Sequence, residues 1–283
     1  MVLESVVVPQ SWEKHPRRMF IIGFFYSVIG LVLGYFVFGK HASIASVFLC
    51  SMPLVVVMYK ALLDEEVKEM EPCCEYAIMR EHTHILMFFI YLFLGVVFSY
   101  ALCYAFLPPE IIEPLFSMQV SAINSISEAT LSGAAVSGWG SISRIVSNNI
   151  VVLFFCVVFS FLYGSGAIFI LILNASAIGV AIGSFVREAI HALAQVGGQN
   201  QFLDYFVVVP ISLTYLVHGI PEVISYFLGA LAGGIISSAV VNHHVRSPRF
   251  RQIVLDSLDL IILSLVVLLA AAYTEVYITP NLL

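Results

Sequence analysis

Residues 149–186 read NIVVLFFCVVFSFLYGSGAIFILILNASAIGVAIGSFV. A helix needs about 20 apolar residues to cross the hydrocarbon core of a bilayer. This stretch is too long for one crossing, and Gly164-Ser165-Gly166 interrupts it near its middle. It therefore predicts two membrane helices joined by a short break.

Similar runs lie on both sides. Met19–Phe38 and Ala42–Tyr59 form two spans closely coupled through Gly39-Lys40-His41, and Ile85–Phe106 forms a third, ended by Pro108-Pro109. Residues 203–241 form a second long stretch, with an expected break at His218-Gly219-Ile220-Pro221, and Ile253–Tyr277 is the last span. Lys60–His84 is acidic and predicts a short surface helix broken at Pro72. Residues 107–147, rich in Ser, Ala, Gly and Ile, predict a partly ordered outer segment with one or two amphipathic helices on the membrane face.

Composition agrees. Of 283 residues, 60% are hydrophobic and 11% charged, and the mean hydropathy is +1.00. Soluble domains carry about 25% charged residues, so lipid must solvate most of this chain. The fold class is all-α, a polytopic transmembrane helical bundle of about seven spans with broken or re-entrant helices. The net charge of −6 is confined to a few loops, and no basic face invites nucleic acid. The N-terminus, with Trp12, Lys14, His15, Pro16, Arg17 and Arg18, does not read as a cleaved signal. An odd number of cysteines, Cys50, Cys73, Cys74, Cys103 and Cys156, argues against a disulfide framework.

Lys and Arg placement orients the chain. Lys14, Arg17 and Arg18 belong in the cytoplasm, as do Arg246, Arg249 and Arg251. An even number of crossings must separate them. Seven apolar segments lie between, so either one is not a full crossing or part of 107–147 crosses as well. The C-terminus then faces outside.

Polar groups within apolar helices require a reason. Asn174 is either a hydrogen-bonding point in a cavity or glue between helices. In His218-Gly219-Ile220-Pro221-Glu222, Gly219 can end one helix and Pro221 can open the next. His218 and Glu222 would then suit the two helix dipole ends, or form a paired site at a broken helix as in transporters, or a partial metal site. An HExxH metalloprotease pair is absent, His243-His244 diverge on a helix, and no nucleotide-binding loop occurs. Cys73-Cys74 with His82 and His84 lacks ordinary zinc spacing. Arg187, Glu188 and His191 predict an interfacial salt bridge. No catalytic residue, metal or cofactor is assigned. Gly30-x3-Gly34, Gly179-x3-Gly183 and Gly229-x3-Gly233 predict close helix packing, within the chain or in a homo-oligomer.

Over roughly residues 85–277 the chain resembles the stage II sporulation protein M family. Four features carry the resemblance: Asn148-Asn149 opening an apolar helix; Gly164-Ser165-Gly166 followed by Asn174 and Gly179; His218-Gly219-Ile220-Pro221-Glu222; and the small-residue helix Gly229–Gly234. The resemblance implies an all-helical core at 85–277, outer segment 107–147 included, with residues 1–84 as an N-terminal two-span extension carrying the acidic cytoplasmic loop. It puts weight on Asn149, Asn174, His218, Gly219 and Glu222. It also implies a role in membrane or envelope remodelling, since the family member of spore formers anchors peptidoglycan-degrading proteins to the engulfing membrane. The function expected is a non-enzymatic scaffold with membrane or envelope protein partners. The alternative is a transporter or channel for an ion, small solute or lipid, using a polar site at broken helices.

Overall fold

The computed structural model describes residues 16–69, 75–131, 138–163, 166–195, 208, 211–242 and 248–281. Eight long helices occur among them: α1 Arg18–Phe38, α2 Ala42–Glu69, α3 Glu75–Phe106, α4 Pro109–Leu131, α5 Gly138–Tyr163, α6 Ala167–Gln195, α7 Leu216–Asn242 and α8 Pro248–Tyr273. Six stretches are long and apolar enough to cross a bilayer: Arg18–Val57, Leu86–Phe106, Ile142–Leu162, Ala167–Leu193, Leu216–Ser237 and Phe250–Ile278. The first, 40 residues long, turns back on itself at the 3-10 turn Gly39–His41. It supplies both α1 and α2, so the six stretches lie on seven of the helices. Gly39 makes the turn with φ +50°, and its N–H closes on the Tyr35 carbonyl. That left-handed conformation is the one glycine adopts without penalty.

Contacts fix the helix directions. Gly30 and Gly34 of α1 meet Ser46, Cys50 and Ala42 of α2 in reverse order, so the two helices form an antiparallel hairpin. Gly179 of α6 meets Val97 and Tyr100, Gly183 meets Ala101 and Tyr104, and Arg187 reaches Tyr104 and Leu107. Thus α6 and α3 run parallel. In the same way Gly229 and Gly233 of α7 lie on Leu153 and Val157, then Val157 and Ser160, of α5, so these two are also parallel. His218 near the start of α7 meets Thr279 beyond the end of α8, which makes α7 and α8 antiparallel.

These directions resolve the parity conflict. Residues 203–241 were expected to hold two segments, yet Leu216–Asn242 is one unbroken helix, preceded by the 3-10 turn Leu213–Tyr215. Six crossings therefore separate the start of α1 from the start of α8, and both lie at the same end of the bundle. The second expected break does occur: α5 stops at Tyr163 and α6 begins at Ala167. Gly164 and Ser165 lie outside the described residues. Two boundaries differ from expectation. The acidic stretch is no separate helix, because α2 continues to Glu69 and α3 begins at Glu75. And α5 starts at Gly138, so Asn148-Asn149 fall inside the helix rather than opening it.

The core runs through the whole bundle, and the stacked rings of Phe89 and Phe227, 4.9 Å between centroids, join α3 to α7. Of the α7 span 61% is buried, against 17% of the α8 span. So α7 is central and α8 peripheral, with Ile262, Val266 and Leu269 exposed along it. Phe25 and Phe36 on α1 and Phe154 on α5 are exposed too. Such rings suit lipid rather than water as solvent.

Candidate functional site

His218, Glu222 and Tyr226 are spaced four residues apart on α7, which stacks them in one stripe. Because the helix continues through Pro221, His218 is not at a helix C-terminus and Glu222 is not in a first turn. The capping account of the two residues is therefore wrong. Proline removes one backbone donor, yet the helix runs on through it. The Tyr226 hydroxyl donates to Glu222 Oε1 at 2.6 Å. His218 Nδ1 and Thr279 Oγ1 are 3.0 Å apart. Glu222 and His218 thus take different partners. The facing element is the π-helical turn Thr274–Ile278 after α8, which brings Glu275 within electrostatic reach of Glu222. Neither carboxylate pairs with a lysine or arginine among the described residues. No three His, Cys, Asp or Glu side chains group tightly enough for a metal among the described residues. Buried Ser225, on the same side of α7 as Glu222, leaves its hydroxyl without a partner.

A second polar network lies under α4. Ser43 Oγ donates to Gln119 Oε1 at 2.7 Å, Gln119 Nε2 donates to Ser176 Oγ at 3.1 Å, and Ser176 Oγ donates to the Leu173 carbonyl at 2.6 Å. The Met118 backbone N–H also donates to Ser43 Oγ at 3.1 Å, one turn after Pro114. All three side chains are buried, so the amide's acceptor and donor are matched away from water, as buried polar groups require. The network pins α4 to the start of α2 and the middle of α6. Ile112, Leu115, Phe116 and Gln119 form the buried stripe of α4, and Glu110, Glu113, Ser117, Ser121 and Asn124 the exposed one. Although 23 residues long, α4 is not among the helices apolar enough to cross.

An open cleft of about 810 Å³ lies between this exposed stripe and the ends of α3 and α6, lined by Tyr104, Glu113, Ser117, Ser121, Asn124 and Arg187 among others. Arg187 Nη1 donates to the carbonyls of Tyr104 at 3.2 Å and Leu107 at 2.7 Å. The Tyr104 carbonyl belongs to the last turn of α3 and that of Leu107 lies just past its end, where carbonyls lack helical partners and carry the negative end of the dipole. The predicted salt bridge of Arg187 with Glu188 or His191 is thus replaced by a helix-end clamp. The cleft and the Glu222 cluster are separate features, since none of the residues named along the cleft belongs to the cluster.

The remaining expected residues are dispersed. Asn149 is buried on α5, where its side-chain oxygen accepts from Asn148 Nδ2 at 3.3 Å. Asn174 is half-buried on α6, one turn before Ile178, the residue that faces Gly219. Gly219 ends no helix, and only Ile178 approaches the position of a Cβ there, at 3.4 Å. All three small-residue motifs dock neighbours within the chain, Gly30 and Gly34 on α2, Gly179 and Gly183 on α3, Gly229 and Gly233 on α5. Any homo-oligomer would use other surfaces. Gly23 and Gly95, at the α1–α3 crossing, were not singled out because they belong to no spaced pair. Cβ atoms there would strike the backbone of Leu92 and Phe20. Gln119 was also missed; its signal is the apolar spacing of Ile112, Leu115 and Phe116, which places it on the buried side. Cys73, Cys74, His243 and His244 lie outside the described residues, as do the side chains of His82 and His84.

Seven crossing helices around buried polar networks, with an eighth clamped among them, define a polytopic helical membrane protein. The chain belongs to the stage II sporulation protein M family, which it matches over residues 21–280. That range takes in α1 and α2 as well as residues 85–277. An uncharacterized protein of Methanocaldococcus jannaschii is 26% identical over 168 residues, covering 58% of this chain and 85% of that relative. No solved structure matches the chain.

Proposed function

We propose that the protein is a membrane scaffold that organises partner proteins in membrane or envelope remodelling. The observation that carries this reading is α4. A helix too polar to cross is fixed by the Ser43–Gln119–Ser176 network and presents Glu110, Glu113, Ser117, Ser121 and Asn124 along one exposed stripe. A rigid polar stripe offers a partner a surface that is already ordered, which lowers the entropic cost of docking. Family membership supports the same reading. The basic residues at the start of α1 and before α8 put those ends in the cytoplasm, so the C-terminus and the start of α4 face outward. The test is an affinity pull-down from native membranes in mild detergent, read by mass spectrometry. A stoichiometric partner lost in Glu110→Lys supports the reading; a monodisperse protein that brings no partner counts against it.

A transporter or channel is the second reading, favoured by the Glu222 and Glu275 carboxylates inside the crossing region, which pair with no lysine or arginine among the described residues. Charges there mark ion and proton paths in many membrane proteins. It no longer draws on a broken helix at Gly219. Proteoliposome flux that survives Glu222→Gln would remove this cluster as the conducting site.

A further inference from the structure

We propose that the cleft between α4 and the ends of α3 and α6 binds the zwitterionic headgroup of an aminophospholipid. The α3 span ends at Phe106, and Arg187 is tied to the carbonyls of Tyr104 and Leu107 at that point. This sets its guanidinium at the boundary between hydrocarbon and headgroups, where a long cationic side chain settles.

Both carbonyl bonds use Nη1, so among the described residues the Nε and Nη2 donors are left for a ligand. Those donors have the fork geometry that fits two oxygens of a phosphodiester. Glu113 lines the same cleft and is exposed, and among the described residues Arg187 bonds to the Tyr104 and Leu107 carbonyls rather than to Glu113. A cation and an anion in one cleft, not spent on each other, match a ligand that carries both charges a few bonds apart. Ser117 and Ser121 add hydroxyls that can donate to phosphate oxygens or accept from an ammonium. The volume of about 810 Å³ falls in the range of small-molecule sites. A phosphoethanolamine group meets these requirements: its phosphate takes the arginine, and its primary ammonium donates to the carboxylate. A trimethylated amine has no N–H to donate to Glu113, and a glycerol headgroup has no cation.

The experiment is native mass spectrometry of the full chain in detergent. Phosphatidylethanolamine, phosphatidylcholine and phosphatidylglycerol with identical acyl chains are offered together, and glycerophosphoethanolamine is added as a competitor. The wild type is expected to retain phosphatidylethanolamine about tenfold over the other two, the worth of one charge-assisted hydrogen bond. Glu113→Gln, an exposed position whose change spares the fold, should erase that preference. Ser121→Phe should fill the cleft and lower retention of all three lipids while leaving the Arg187 clamp untouched. Equal retention of phosphatidylethanolamine and phosphatidylcholine by the wild type overturns the proposal, as does a preference that persists in Glu113→Gln. Competition by glycerophosphoethanolamine at matching concentration assigns the cleft to a free zwitterionic solute and overturns the lipid source. The pull-down with Glu110→Lys reads partner binding alone, so the two ideas can fail separately.

Discussion

The hydroxyl of Ser43, second residue of α2, donates to Gln119 Oε1 across 76 positions of sequence at 2.7 Å. This bond and its continuation to Ser176 are what fix α4 against helices that cross the membrane. Gln119→Leu keeps most of the volume and removes both side-chain bonds. Leaving such buried groups unmatched costs about 1–3 kcal/mol. The expected result is a lower melting temperature in detergent and faster proteolysis within residues 109–131. An unchanged melting temperature would mean that the apolar stripe and the Met118 N–H bond to Ser43 hold α4 without the amide.

Glycines in this chain divide by what lies opposite them. A Cβ at Gly179 would sit 2.6 Å from the Val97 carbonyl oxygen, whereas one at Gly219 would meet only the flexible end of Ile178 at 3.4 Å. Gly179→Ala should therefore force α6 away from α3 and destabilise the fold by about 1–3 kcal/mol, the usual cost of overpacking. Gly219→Ala should be neutral or stabilising by up to about 1 kcal/mol, because alanine favours a helix interior over glycine. Detergent melting curves of the two variants give the ranking, and the reverse order would contradict the helix directions given above.

Removing one of two neighbouring carboxylates that lack a cation relieves repulsion. Glu275→Gln should leave stability unchanged or raise it, and Glu222→Gln should do the same, since its amide oxygen still accepts from Tyr226. Tyr226→Phe deletes the 2.6 Å bond to Glu222 inside the packed bundle and should cost about 1–2 kcal/mol. A strongly destabilised Glu275→Gln would show that this carboxylate has a favourable partner, which the cluster as described does not supply.

The proposed orientation can be read by thiol labelling. With Cys73, Cys74 and the half-buried Cys103 replaced by serine, the remaining Cys50 and Cys156 are buried and should stay silent. In intact cells an impermeant maleimide should label Asn281→Cys and should label Arg17→Cys only after permeabilisation. Labelling of both from one side would contradict the seven crossings.

Much of this architecture was legible because hydropathy and small-residue spacing are local signals. The apolar runs gave the crossing helices, and the three small-residue pairs lie against neighbouring helices. What failed was the reading of Gly219 and Pro221. These residues weaken a helix whether or not it breaks, and packing around α7, which sequence does not display, decides the outcome. Asn149 was misplaced for a related reason. The polar turns from Gly138 onward contribute little hydropathy, so the apolar run begins later than the helix does. The clamp at Arg187 and the Gln119 network join residues too far apart in sequence for any spacing rule.

Parallel docking of α6 on α3 also has a consequence for biogenesis. The ribosome delivers α3 before α4 and α5, and both before α6. The surface of α3 that receives Gly179 and Gly183, from Val97 to Tyr104, thus enters the membrane long before its partner is made. It includes Tyr100, which is fully buried in the finished bundle. Insertion of the first three helices yields an incomplete groove with a phenol in it, and the N-terminal half is finished only after three further helices, α4, α5 and α6, have been synthesised. A chain cut after α5 would carry an unfilled groove into the bilayer and present quality-control machinery with an assembly that cannot close.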